Sequence, residues 1–192
     1  MLVDDDSERA SSVEEALRVS GYEVVSIISS TSALLYQIEQ LQPDVVLIDL
    51  KFPGRDILES LAIINDHNPT PMVMFSEEDD PEYIGQAFKA GVSTYLIEGV
   101  NPGKVKPIIE VALAQFNSFQ ALKSELQSAR SELEDSKLIA RAKVLLMQQK
   151  QIRESEAHVM LNRLSMNNNL RLGEVARMIV ATLSNEDTGI EK

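Results

Sequence analysis

The sequence contains no cysteine and no tryptophan, and only 5% of its 192 residues are aromatic. Without cysteine the chain can form no disulfide bond, thiolate zinc site or cysteine nucleophile, which is typical of a cytoplasmic protein. Its two histidines, His67 and His158, lie too far apart in sequence to have metal-ligand spacing. No apolar run reaches the roughly 18 residues of a membrane span, and the N-terminus lacks the segments of a signal peptide. We therefore expect a cytoplasmic protein that does not enter a membrane.

Charge is abundant but unevenly distributed. The net charge is −12, and residues 1–104 hold 19 acidic residues against 6 Lys and Arg. Residues 137–177 hold 8 Lys and Arg against 3 acidic residues, a net of +5. This asymmetry predicts an acidic body and a basic binding region, although a solvated helical surface gives the same pattern.

Short apolar segments alternate with helical patterns through the first 115 residues. The predicted strands are 1–3, 23–28, 45–48, 72–75 and 94–97, and the predicted helices are 7–20, 31–41, 56–67, 82–90 and 102 onward. The segment 45–48 is a continuous apolar run, as in a parallel strand covered on both faces. The alternation predicts a doubly wound, flavodoxin-like α/β domain over residues 1–115.

Polar side chains stand where three of these strands end. Asp4 and Asp5 follow the first strand, Asp49 ends the third, and Ser76 follows the fourth. Ligands bind at the carboxyl ends of the strands in such sheets. Carboxylates that converge repel one another, and a hard cation such as Mg²⁺ relieves the repulsion. The sequence therefore predicts an acid pocket in which Asp4, Asp5 and Asp49 could hold Mg²⁺, although such acids also cap helices.

The segments LVDDDSER, VVLIDLKFPG, MVMFSEEDD and AGVSTYLIEG resemble the signature segments of response-regulator receiver domains. The resemblance implies that Asp4 and Asp5 hold Mg²⁺ and that Asp49 is the phosphoryl acceptor. It also implies switch roles for Ser76 and Tyr95.

The last segment departs from the receiver pattern. Receiver domains carry a lysine after the fifth strand, which pairs with the phosphoryl group, whereas this chain has Glu98. A carboxylate at that place repels a phosphoryl dianion. We therefore expect the pocket to serve the fold and a partner surface, with control through protein contact. The acidic segment 77–82 is a candidate docking edge, or equally a solvated loop.

A connector follows, with no proline after Pro107 and no glycine before Gly173. Apolar residues recur in a heptad pattern at 105, 112, 119, 126, 133 and 140, and at 108, 122 and 129. This pattern predicts a coiled coil over residues 105–136 and hence a homodimer. The alternative is a helix that folds back on its own receiver. A second apolar stripe, Ile109, Leu113 and Phe116, could pack there.

Three further helical patterns, at 137–150, 155–166 and 170–183, predict a small all-α bundle within residues 137–192. Asn169 is the candidate N-cap of the third helix. Such a bundle could be a helix-turn-helix DNA reader.

However, KLIARAKVLLMQQK and ESEAHVMLNRLSMNNNLRLGEVARMIV resemble the ANTAR domain, the RNA-binding module of AmiR- and NasT-type antitermination regulators. The resemblance covers about residues 137–183, and Glu98 in its context is similar to NasT-type regulators. The resemblance implies that the protein binds hairpins in leader transcripts and prevents termination upstream of nitrate or nitrite assimilation genes. It also implies a nitrate-sensing protein as partner.

Cations and amides of the bundle are the candidate RNA-binding groups. They are Arg141, Lys143, Lys150, Arg163, Asn167, Asn169, Arg171 and Arg177. No aromatic residue follows Phe119, so bases would have to stack on arginine planes or apolar side chains. A phosphorylation-dependent DNA-binding regulator, and a receiver that only relays protein contacts, are the alternatives. No nucleophile–base pair or Gly-rich phosphate loop indicates an enzyme, and no cofactor is expected apart from Mg²⁺.

Overall fold

The structure is a computed structural model that describes residues 1–29 and 34–186. Its first compact unit, Met1–Gln120, contains a parallel sheet of five strands in the order β2-β1-β3-β4-β5. The strands are β1 (Leu2–Asp4), β2 (Ile27–Ile28), β3 (Val46–Asp49), β4 (Met72–Phe75) and β5 (Thr94–Leu96). The predicted flavodoxin-like α/β fold is confirmed.

Four helices and the start of a fifth cover this sheet. They are α1 (Ser7–Val19), α2 (Leu34–Leu41), α3 (Arg55–His67), α4 (Pro81–Lys89) and α5 (Val105–Lys150), the last preceded by a 3₁₀ turn at Pro102–Lys104. Alternate strand residues point to opposite faces, so the sheet has a core on each side. Val3, Ile48 and Met74 pack in one core, and Leu47 and Phe75 pack in the other.

Two predicted elements differ from the structure. The predicted strand 23–28 is reduced to Ile27–Ile28, because β2 lies at the sheet edge and its residues are half-buried or exposed. The predicted helix 31–41 begins outside the described residues, and its described part is Leu34–Leu41.

The start of α5 belongs to the core of the first unit. Val105, Ile109 and Ala112 are fully buried against residues of α1 and the sheet. Two of the predicted seam positions, Val105 and Ala112, are therefore used inside the receiver, and their assignment to an intermolecular seam was wrong. The helical periodicity is the same for both uses, and only the fold shows which partner the stripe meets.

The second compact unit begins at Ala121, and its described part, through residue 186, contains three helical segments. They are the continuation of α5, then α6 (Glu154–Asn168) and α7 (Leu172–Glu186). The buried core residues are Ala142, Leu146, Ala157, Leu161, Val175 and Ala176. Three of these six are alanines, which let the helices approach closely.

A close contact between α5 and α7 depends on glycine. An added Cβ at Gly173 would lie 2.2 Å from Asp135 Cγ, so a side chain at this position would displace the carboxylate. The first turn of α7 is capped by Glu174, whose carboxylate accepts from the Arg171 N–H at 2.8 Å. Asn169 instead ends α6 in the left-handed conformation, with φ 52°. Its predicted role as N-cap of the third helix was wrong, because asparagine tolerates the positive φ that this turn requires.

Among the described residues, no helix combines the length and the apolar character needed to cross a bilayer.

Candidate nucleic-acid interface and acid pocket

The acid pocket lies where β1 and β3 end side by side. Asp4 and Asp49 are partners in the register of these two strands, and each residue is only 2% exposed. Asp5 follows β1, with its side chain 51% exposed. The sequence prediction that these three carboxylates converge is thus supported by the fold.

Arg9, in the first turn of α1, brings a positive charge into this pocket. Its guanidinium contacts Asp4 Oδ1 at 2.7 Å, Asp4 Oδ2 at 3.1 Å and Asp5 Oδ1 at 3.0 Å. Its Nε lies 3.0 Å from Asp49 Oδ2, and its Nη2 donates to the Asp49 carbonyl at 3.2 Å. One side chain therefore neutralises carboxylates from two strands.

The pKa values of Arg9 and Asp49 reflect these contacts. The hydrogen bond to Asp4 raises the pKa of Arg9 above its usual value. Burial raises the pKa of Asp49, an effect opposed by the hydrogen bond from the Val100 N–H at 3.2 Å and by the charge of Arg9.

Sequence reasoning missed Arg9. The signal was present, because Arg9 stands four residues after Asp5 and the intervening Asp6 is a strong N-cap residue. The Asp6 carboxylate accepts from the N–H groups of Glu8 and Arg9 and so fixes the first turn of α1. The three consecutive aspartates thus have different roles.

Ser76 and Tyr95, the predicted switch residues, meet at the loop after β4. The buried Ser76 hydroxyl donates to the Lys51 carbonyl at 3.0 Å and accepts from the Glu78 N–H. The Tyr95 hydroxyl donates to the Glu78 carbonyl at 2.9 Å, and burial raises the pKa of this tyrosine. Glu98 is exposed. The positive partner of the pocket therefore comes from α1 instead of from the end of β5.

The acidic segment 77–82 is partly used within the fold. The Glu78 side chain accepts from the Asp80 N–H, and Asp80 caps α4 by accepting from the Glu82 N–H. Glu77 lies 3.6 Å from Lys51. These contacts favour a structured loop over a freely solvated acidic run.

The magnesium that the receiver fold implies does not fit this pocket as folded. Both oxygens of Asp4 are engaged by Arg9, and Asp4 Oδ1 also accepts from the Asp6 N–H at 2.8 Å. Within residues 1–29 and 34–186, no group of three or more acidic or histidine side chains is arranged to hold a metal ion. The predicted set of Asp4, Asp5 and Asp49 is brought together, but around a guanidinium.

The second unit presents most of its predicted RNA-binding groups to solvent. Exposed are Arg141, Lys150, Arg163, Asn167, Asn169, Arg171 and Arg177. In the part of the chain that the structure describes, none of the five cations in this set forms an ion pair. Arg163 and Asn167 line one shallow groove on α6 together with Val159 and Met160. The lining of this groove combines a cation, an amide and apolar side chains, with the carboxylate of Glu156 also present.

Lys143 has a different environment. Its ammonium donates to Glu154 Oε1 at 2.5 Å, which joins α5 to α6, and its side chain is only 23% exposed. The Lys143 ammonium holds the pKa of the Glu154 carboxyl below its usual value. Among the described residues, Lys143 is therefore the candidate cation whose side chain forms an ion pair between two helices.

Comparison with protein families shows which domains the chain contains. Residues 1–110 match the response regulator receiver domain, and residues 127–180 match the ANTAR domain. The chain is an ANTAR response regulator. The two family matches confirm the prediction that the chain is a regulator and not an enzyme.

Individual relatives agree with this assignment. The chain is 27% identical over 183 residues to the transcriptional regulatory protein PdtaR of Mycobacterium tuberculosis, covering 95% of this chain and 89% of PdtaR. It is 28% identical over 102 residues to the DNA-binding response regulator MtrA of Mycobacterium leprae, covering 53% of this chain and 45% of MtrA. Among solved structures, the receiver domain of the response regulator NarL from M. tuberculosis is 29% identical. That match covers 58% of this chain and 92% of the NarL domain, with a TM-score of 0.51.

Proposed function

We propose that this ANTAR response regulator binds paired hairpins in leader transcripts and prevents termination upstream of nitrate or nitrite assimilation genes. The observation that carries the proposal is a set of exposed cations inside the ANTAR match that form no ion pair with the described residues, in a chain whose receiver is strongly acidic. The nitrate assignment rests on the resemblance of the Glu98 segment to NasT-type regulators. Phosphate contacts from such cations supply most of the affinity for nucleic acid.

RNA is favoured over DNA as the ligand. Similarity to PdtaR runs over nearly the whole chain, whereas similarity to the DNA-binding MtrA extends over little more than half of it. The groove on α6 offers an arginine plane, Arg163, beside the apolar Val159 and Met160. Unstacked bases of a hairpin loop fit such a surface, because arginine planes and apolar side chains can stack on them.

A gel-shift comparison tests the proposal. The full chain is titrated against a two-hairpin RNA from a nitrate-assimilation leader, the same RNA with scrambled loops, and duplex DNA of equal charge. We expect binding to the native hairpins to be the tightest of the three at physiological salt. Preference for the duplex DNA would favour the alternative, a DNA-binding regulator. Failure to bind any of the three would favour a protein-only relay.

We propose that a homodimer forms through the exposed apolar stripe of α5. Phe119, Leu122, Leu126 and Leu133 are between 53% and 64% exposed in the single chain. They follow the heptad positions that remain after the receiver has buried Val105 and Ala112. Two ANTAR units on one RNA would also raise affinity through effective concentration.

Replacing Leu126 and Leu133 together with asparagine should convert the dimer to monomer. Each leucine that leaves the seam removes about 1.5–3 kcal/mol of burial per side chain, and each occurs twice in a dimer. Sedimentation velocity measures the change. The matched control replaces Ser124 and Ser131, seven residues apart on the outward heptad position, with asparagine. An unaltered dimer in the leucine variant would contradict this seam.

Control of the receiver is proposed to come from contact with a sensor protein and not from phosphoryl transfer. Glu98 stands where a phosphoryl-pairing lysine is expected, and Asp49 is already paired with Arg9. A switch requires a ligand that binds two states differently, and a protein partner can supply that difference.

Asp49→Ala should therefore leave RNA affinity close to that of the wild type, when both are measured by fluorescence anisotropy. In this proposal the conformation that binds RNA forms without a phosphoryl group on Asp49. A phosphoryl analogue with Mg²⁺ is titrated into both proteins as a second arm. A saturable gain in RNA affinity that Asp49→Ala abolishes would restore the phosphorelay alternative.

A further inference from the structure

Arg9 is the centre of a charge cluster in the first unit, outside the residues proposed to bind RNA. Its guanidinium reaches three carboxylates and one carbonyl, with all five donor–acceptor distances between 2.7 and 3.2 Å. The partners come from the end of β1 and the end of β3. A planar group with five donors suits several carboxylates at once better than an ammonium does.

Burial makes this pairing necessary. The side chains of Asp4 and Asp49 are 0% and 2% exposed, and Arg9 itself is only 20% exposed. Buried carboxylates of like charge cannot both remain ionised without a compensating cation. The Lys51 ammonium, the other cation at this end of the sheet, is directed to Glu77 at 3.6 Å. Arg9 is the cation that the described part of the pocket supplies.

The contacts of Arg9 also engage carboxylate oxygens that a metal would need as ligands. A small dication requires oxygen ligands at about 2.0–2.1 Å in octahedral geometry. Asp4 presents both oxygens to the guanidinium, and Asp49 Oδ2 is shared between Arg9 and the Val100 N–H. A dication among the same oxygens would stand directly beside a guanidinium, and the two positive charges repel each other.

The backbone holds Arg9 in this position. Asp6 caps α1 through two hydrogen bonds to its first turn, at 3.0 and 3.1 Å, so the side chain four residues after Asp5 turns back over the strand end. The arrangement is therefore built into the chain between residues 4 and 9.

We propose that the Arg9 guanidinium is the resident cation of the acid pocket, in the place of a divalent metal. It joins β1, α1 and β3, and it keeps the receiver in a fixed pocket geometry without metal. This inference goes beyond the proposed function and does not depend on RNA binding.

The test compares Mg²⁺ and Mn²⁺ binding by the full-length wild type and by Arg9→Ala. Melting temperature is followed by circular dichroism in chelator and in increasing Mg²⁺, and Mn²⁺ affinity is measured by electron paramagnetic resonance. The wild type should show no saturable change in melting temperature. Arg9→Ala should melt at lower temperature in chelator and recover with Mg²⁺. Its Mn²⁺ affinity should exceed that of the wild type by about tenfold or more, since the guanidinium no longer neutralises the three carboxylates and a hard dication can take its place.

Two further variants test whether the change in metal binding depends on Arg9 and on the carboxylates of the acid pocket. Arg18→Ala removes an exposed arginine from the same helix, which pairs only with Glu15 in the described structure, and it should behave as the wild type with both metals. Asp5→Asn in the Arg9→Ala background should abolish the gained Mn²⁺ binding. Saturable metal binding by the wild type equal to that of Arg9→Ala would overturn the proposal.

If Arg9→Ala does not fold while Arg18→Ala does, titration of the wild type alone decides. Paramagnetic broadening by Mn²⁺ that saturates at the amides of Asp4 and Asp49 would overturn the proposal. Absence of such broadening, together with the finding that the chain needs Arg9 to fold, would support the proposal.

Discussion

Replacing Arg141, Arg163 and Arg171 together with alanine is expected to weaken binding of the hairpin RNA by about 10³-fold. Each arginine is exposed and free of ion pairs in the described structure, so each is available for a phosphate. A hydrogen bond to a charged group contributes about 1.5 kcal/mol or more, which is roughly tenfold in Kd for each side chain. The slope of log K against log salt should also fall by about 1 for each arginine.

The control for this variant removes the same charge elsewhere. Arg55, Lys89 and Lys106 are exposed cations of the receiver unit, and their triple replacement with alanine changes the net charge equally. Anisotropy titrations at several salt concentrations compare the three proteins. An equal loss of affinity in both variants would mean that only net charge matters. An unchanged salt slope in the first variant would remove these arginines from the interface.

Lys143 is unsuitable for this test. Its replacement would also break the contact with Glu154 that joins α5 to α6, so a loss of binding could reflect altered packing. The exposed arginines avoid this ambiguity.

Replacing Leu161 with alanine is expected to lower the free energy of unfolding of the ANTAR unit by about 2–5 kcal/mol. Leu161 is fully buried, and its neighbours in the core include Ala142, Ala157 and Ala176. These alanines are short and cannot extend to fill the cavity. Small bundles have little stability to spare, so this loss should unfold much of the unit near physiological temperature.

Urea denaturation followed by circular dichroism measures the effect. The two compact units have separate cores, so the transition of the receiver should keep its midpoint while that of the ANTAR unit moves to lower urea. The matched control is Met166→Ala on the same helix, since Met166 is 81% exposed and should change stability by less than about 0.5 kcal/mol. A Leu161→Ala variant as stable as this control would contradict the observed core.

Local patterns predicted most of the elements because hydrophobic periodicity is a property of neighbouring residues. The strand predicted at 72–75 is observed as Met72–Phe75, and the helix predicted at 56–67 as Arg55–His67. Such patterns do not identify the partner of an apolar stripe. The heptad positions Val105 and Ala112 satisfied a coiled coil equally well, yet the receiver core contains both.

Polar interactions were harder to predict, because local patterns do not identify the partners of polar side chains either. Asp4 and Asp49 could be placed together from strand alternation, because parallel strands end at one edge of the sheet. The cation between them could not be chosen from strand ends alone, since Arg9 reaches the pocket from the first turn of a helix. Asn169 was a plausible helix start by residue type, but the turn needed a positive φ there.

Local sequence patterns were enough to identify the parallel α/β receiver, the all-α basic unit after it, and the family motifs of both. Those properties depend on local periodicity, composition and short segments. The folded structure was needed to find that Arg9 pairs with the carboxylates of the acid pocket, that Lys143 contacts Glu154, and which part of α5 leaves its apolar stripe exposed. Each of these depends on contacts between residues of different elements, whose distances are set only when the chain has folded.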